Sequence, residues 1–151
     1  MIYAFAIPLG MGTNNQAEAQ AASYGLYWCV NHGYRNIILE VDSELLTIWL
    51  KQNTQPPWKL QGYVQEIQSL ISQCVSFQCI HTYREANFTA DFLSKQSHRH
   101  DNIQHYYVPN QLPAAAKGSY LLEKMGMQNF RRKKLKRIKK NLHNLGRVSL
   151  I

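Results

Sequence analysis

Acidic side chains are sparse in the first 100 positions, and three of them fall where oxygen ligands could meet: Glu18, Asp42 and Asp91. Glu18 lies among alanines in the expected first turn of a helix. Asp42 closes an apolar, β-type run, and Asp91 stands between Ala90 and Phe92 early in a short helix. A carboxylate turned toward an apolar interior is stable only when it is paired or binds a cation. If the strand end and the two helix starts converge, three hard oxygen donors suit Mg²⁺ or Mn²⁺. A second account is open at the same residues. First-turn carboxylates complement the helix dipole, and Asp42 ahead of Ser43 reads as a cap.

The elements that must position these groups follow from periodicity. Tyr3, Phe5, Ile7 and Leu9 alternate with smaller neighbours up to Gly10, which predicts a strand of about seven residues entering a turn. Thr13-Asn14-Asn15 then offers two helix caps, Thr13 with Gln16 or Asn15 with Glu18. Ala17, Ala21, Ala22, Gly25, Leu26, Cys29 and Val30 recur at helical spacing, and Gly33 is placed to end the helix in the left-handed conformation. Asn36 to Val41 reads as an interior strand, followed by a helix packed through Leu45, Leu46, Ile48 and Trp49. A third helix is expected from Gln61 to Cys74, a strand from Val75 to Tyr83, and a short helix through Ala90 to Leu93. Strands alternating with helices predict an α/β fold with a partly parallel sheet.

The segments Gly12-Thr13-Asn14-Asn15-Gln16-Ala17-Glu18, Leu39-Glu40-Val41-Asp42-Ser43 and His81 to Leu93 closely resemble, in order, the motifs of the ribonuclease H-like domain. The nearest subgroup is the plant one related to retroelement reverse transcriptases, with its TNNxAE, hydrophobic-xxDS and HxxREAN-xx-AD-x-L patterns, matched across residues 1–96. The resemblance implies a mixed sheet with helices on both sides. It also implies hydrolysis of the RNA strand of RNA–DNA hybrids with two divalent ions held by four carboxylates. Carried over, Glu18, Asp42 and Asp91 are three of those metal-binding, catalytic carboxylates, and His81 stands where active relatives carry a histidine that aids product release. Its neighbours Ile80 and Thr82 lack the glycines of a flexible loop, so His81 is expected within a strand. Asn14 and Asn15 are expected near the minor groove of a hybrid, with Arg84 and Asn87 on the same nucleic-acid side.

The chain departs from the family pattern at its front. No aspartate precedes Asp42, whereas relatives begin with a strand carrying one, often as Asp-Gly, and a hairpin into a second strand. The resemblance therefore describes an N-terminally truncated ribonuclease H-like mixed sheet lacking its first two strands. On this reading the chain is inactive by itself, unless unseen sequence completes it. A non-catalytic interaction module, with a partner protein at the open sheet edge, is the other alternative.

Charge divides the chain. Residues 1–116 hold 6 basic and 8 acidic side chains, and residues 117–151 hold 11 basic and 1 acidic, so the net charge of +8 belongs to the C-terminal end. The organisation expected is a partial domain at 1–96, a linker at 97–119 and a basic amphipathic tail at 120–151. Within the tail, Arg131, Arg132, Lys133, Lys134, Lys136 and Arg137 form a run suited to phosphates or to import into the nucleus, while Leu135, Ile138, Leu142 and Leu145 mark one apolar stripe. No apolar run approaches the roughly 20 residues of a membrane span. Cys29, Cys74 and Cys79 form no CxxC pair and sit among apolar residues, which fits reduced thiols in an intracellular protein.

Overall fold

Thr13 decides where the first helix starts. In the computed structural model, which describes residues 1–10, 12–52, 54–83 and 87–126, its hydroxyl accepts from the Gln16 amide at 3.3 Å. The Gln16 side chain accepts from the Thr13 amide at 2.9 Å. This reciprocal box selects Thr13 over Asn15 and opens α1, Asn14–Asn31. The helix stops at His32, and Gly33 takes φ +83°, the left-handed geometry that spares a Cβ clash. Before α1 lies β1, Ala4–Ala6, shorter than the alternation of Tyr3 to Leu9 predicts.

The apolar run Asn36–Val41 is β2, and it pairs in parallel with β3, Ser76–His81, from Asn36 opposite Ser76 to Val41 opposite His81. Between them come α2, Glu44–Gln52, and α3, Trp58–Ile71, which starts three residues before the expected Gln61. Then follow α4, Phe88–Ser97, a three-residue strand β4, Gln104–Tyr106, a 3-10 turn at Pro109–Gln111, and α5, Ala114–Lys124. The stretch 97–119 thus differs from the linker expected there. The reason is physical: β4 exists because β1 pairs with it antiparallel, Ala4 opposite Tyr106 and Ala6 opposite Gln104. Three residues carry no alternation of their own to reveal a strand.

Two apolar cores result. The larger joins α1, β2, α2, α3 and β3 around Leu26, Leu39, Leu46 and Ile67, each 0–1% exposed. The smaller joins β1, α4, β4 and α5 through Ala4, Ala6, Leu93, Tyr106, Leu112 and Ala116. Pairing is mixed, one parallel and one antiparallel, but among the described residues it forms two separate two-stranded sheets instead of one. Trp49 packs in the larger core, and Trp28 is sandwiched between Tyr3 at 4.2 Å and His32 at 4.0 Å. Trp58 instead stands 77% exposed beneath the Lys59 ammonium. Among the described residues no helix is long and apolar enough to cross a membrane. All three thiols are free. Cys29 and Cys79 are buried, and burial pushes the Cys29 pKa up to about 11.

Candidate metal and nucleic-acid site

A cavity of about 170 Å³ opens between β1 and β2, walled by α1 and α4. Consecutive residues in and just past each strand line it, Phe5-Ala6-Ile7 on one side and Leu39-Glu40-Val41-Asp42 on the other. Alternate side chains of a strand point to opposite faces, so consecutive lining residues mean that each strand turns an edge toward the space. Glu18, Asp42 and Asp91, predicted to meet, all line this one cavity, each from a different element.

Local structure weighs against the capping account. α2 is capped by Ser43, whose hydroxyl accepts from the Leu46 amide at 3.1 Å, so Asp42 is left to project from the end of β2. The first turn of α1 contains no acidic residue. Glu18 lies beyond the reach over which the helix dipole acts strongly, and one of its carboxylate oxygens is fully enclosed. Small neighbours Ala17, Ala21 and Ala22 on the same wall leave the space that the cavity occupies. Asp91 does lie in the first turn of α4, where Lys95 donates to its Oδ2 at 2.5 Å.

Glu40 also lines the cavity, and the sequence reading did not single it out. The signal was available: Glu40 is a second carboxylate at the same strand end as Asp42, two residues before it. Asn87, at the N-cap of α4, lines the cavity too. His81 ends β3 opposite Val41, half-buried, with its ring edge-on to Tyr83 at 5.2 Å, and it is not among the lining residues. Asn14 and Asn15 open α1, exposed and half-buried respectively, outside the cavity wall. Arg84 and the run Arg131, Arg132, Lys133, Lys134, Lys136 and Arg137 lie outside the described residues.

The donor set suits a hard divalent cation, since every ionisable group on the wall is a carboxylate. The carboxylates ring the space without closing on one point. Among the described residues no three His, Cys, Asp or Glu side chains stand close enough to hold one ion.

Residues 2–97 match the family described as reverse transcriptase-like. The chain belongs to that family. Its ribonuclease H-like domain is 31% identical over 90 residues to the Arabidopsis thaliana protein named "Putative ribonuclease H protein At1g65750", a match covering 60% of this chain and 14% of that protein. The chain thus corresponds to a small part of that relative's length. Among solved structures, the reverse transcriptase-like domain is similar to RNase H1 from the halophilic archaeon Halobacterium salinarum NRC-1. The TM-score is 0.55 at 27% identity, covering 59% of this chain and 68% of that one. The α/β, ribonuclease H-like fold expected from the motifs is therefore the fold observed.

Proposed function

We propose that this chain is a nucleic-acid-binding ribonuclease H-like domain directed to RNA–DNA hybrids, with a carboxylate site that is incomplete within its own residues. The observation that carries the proposal is that Glu18 from α1, Asp42 just past the end of β2 and Asp91 from α4 all line one cavity in a member of the reverse transcriptase-like family. Any two of these, with Glu40 beside them, would supply oxygen ligands to Mg²⁺ or Mn²⁺, water completing the shell. Such an ion, when bound, neutralises charge on a phosphate and lowers the pKa of its water. The chain's own residues supply negative charge, a partly apolar wall and the amide of Asn87 at the rim. Amides of this kind pair with the 2′-hydroxyls that distinguish RNA from DNA. The basic run at 131–137 adds salt-sensitive, sequence-independent affinity for phosphates.

The lack of cleavage expected of these residues alone is supported by the carboxylates of the described residues, which ring the cavity without converging. A second reading has one observation in its favour. β1 and β2 each turn an edge toward the cavity, so a further strand bringing its own carboxylate would join the two sheets and make the site competent for hybrid cleavage.

The test is a labelled RNA–DNA hybrid titrated with the protein in Mg²⁺ or Mn²⁺, read by anisotropy for binding and by gel for cleavage. Binding of the hybrid ahead of duplex DNA, weakening with salt and without cleavage, is the expected result. Cleavage that disappears in Asp42→Asn would replace inactivity by the second reading. Equal affinity for duplex DNA and hybrid would sink the substrate assignment.

A further inference from the structure

The helix that carries Asp91 is not capped by its own N-cap residue. Asn87 makes no side-chain hydrogen bond to the free amides of α4. The cap comes instead from Glu123 on α5, 34 residues further along the chain: its carboxylate accepts from the Thr89 amide at 3.0 Å and from the Thr89 hydroxyl at 2.8 Å. Thr89 is 0% exposed, so its two donors have no water to turn to. An anion at this end of a helix also faces the positive pole of the helix dipole.

We infer that Glu123 is a positioning residue for the carboxylate site, fixing the first turn of α4 and thereby the placement of Asp91 and Asn87 on the cavity wall. The inference rests on the proposed metal reading of that cavity. The first intrahelical bond of α4 runs from the Asp91 amide to the Asn87 carbonyl at 3.1 Å, so fraying of this turn moves both cavity-lining residues together. α4 has only ten residues. A helix this short has little to hold its first turn besides contacts from outside. α5 supplies them, through Glu123 at one end and, in the smaller core, through Ala116 packed with Leu93. A segment beyond the family match of residues 2–97 thus sets the geometry of a residue inside it.

The experiment compares the full chain with Glu123→Gln, Glu123→Ala and Thr89→Val, each read by amide hydrogen exchange and by Mn²⁺ titration. The expected result is faster exchange in the first turn of α4, on the order of tenfold in Glu123→Ala, with β2 and β3 unchanged. Mn²⁺ affinity should fall about fivefold in the same variant and less in Glu123→Gln, which keeps an acceptor. Unchanged exchange at Thr89 to Asp91 in all three variants would overturn the cap. Faster exchange with wild-type Mn²⁺ affinity would overturn the positioning role. Absence of Mn²⁺ binding in the wild type would overturn the metal reading, while the exchange data would still decide the cap. If Glu123→Ala does not fold, Glu123→Gln and Thr89→Val carry the same comparison with smaller perturbations.

Discussion

Lys95 holds Asp91. The two lie one turn apart on α4, with the Lys95 ammonium on Asp91 Oδ2, and the lysine side chain is 71% exposed while the aspartate is 28% exposed. A cation entering the cavity must therefore compete with a surface ammonium for one of its carboxylates. An exposed pair at this spacing contributes about 0.3–0.5 kcal/mol. Lys95→Ala is accordingly expected to raise Mn²⁺ affinity about twofold, measured by titration calorimetry at low salt. A fall in affinity would mean that Lys95 supports the site instead of competing for it.

Glu40 near the end of β2 and Asp42 just past it line one cavity, so the charge of Glu40 acts on whatever Asp42 binds. Asp42→Asn should lower Mn²⁺ affinity on the order of tenfold or more, and Glu40→Gln by a smaller factor in the same direction. If Glu40→Gln leaves affinity unchanged, its carboxylate stands on the wall without contributing.

Leu112 tests whether residues beyond Ser97 belong to the folded core. It is 5% exposed in the smaller cluster, whereas nearby Val108 is 49% exposed. Leu112→Ala should cost about 2–4 kcal/mol in urea unfolding, as buried leucines do, and Val108→Ala less than about 0.5 kcal/mol. Equal, small effects would return 97–119 to the role of a linker.

Burial of Cys29 gives stability an alkaline limb. Its thiol holds its proton to about pH 11 in the folded protein, against an ordinary value of 9.0. Between those pH values the folded state binds more protons than the unfolded chain, so stability falls as pH rises and is unaffected by this group below about pH 9. The slope is at most about 1.4 kcal/mol per pH unit. Urea unfolding between pH 8 and 11 should show a shallower decline for Cys29→Ala, and an unchanged decline would assign the limb to other groups.

The sequence alone determined the pieces whose cause is local. The left-handed Gly33 and the six-residue β2 are set by neighbours a few positions away, and a period of 2 or 3.6 reveals them, while the start of α1 was narrowed to two caps between which the structure chose. It also marked Glu18, Asp42 and Asp91, because a carboxylate among apolar residues carries a cost that something must offset. Tertiary structure decided what depends on partners distant in sequence. β4 is a strand only through β1. Ser43 caps α2 and so leaves Asp42 to the cavity, and Glu123 reaches Thr89 across 34 residues. None of these contacts has a period. Each arises from where packed elements bring donors and acceptors together, and only the assembled chain shows that a cavity, walled by carboxylates, lies between the two sheets.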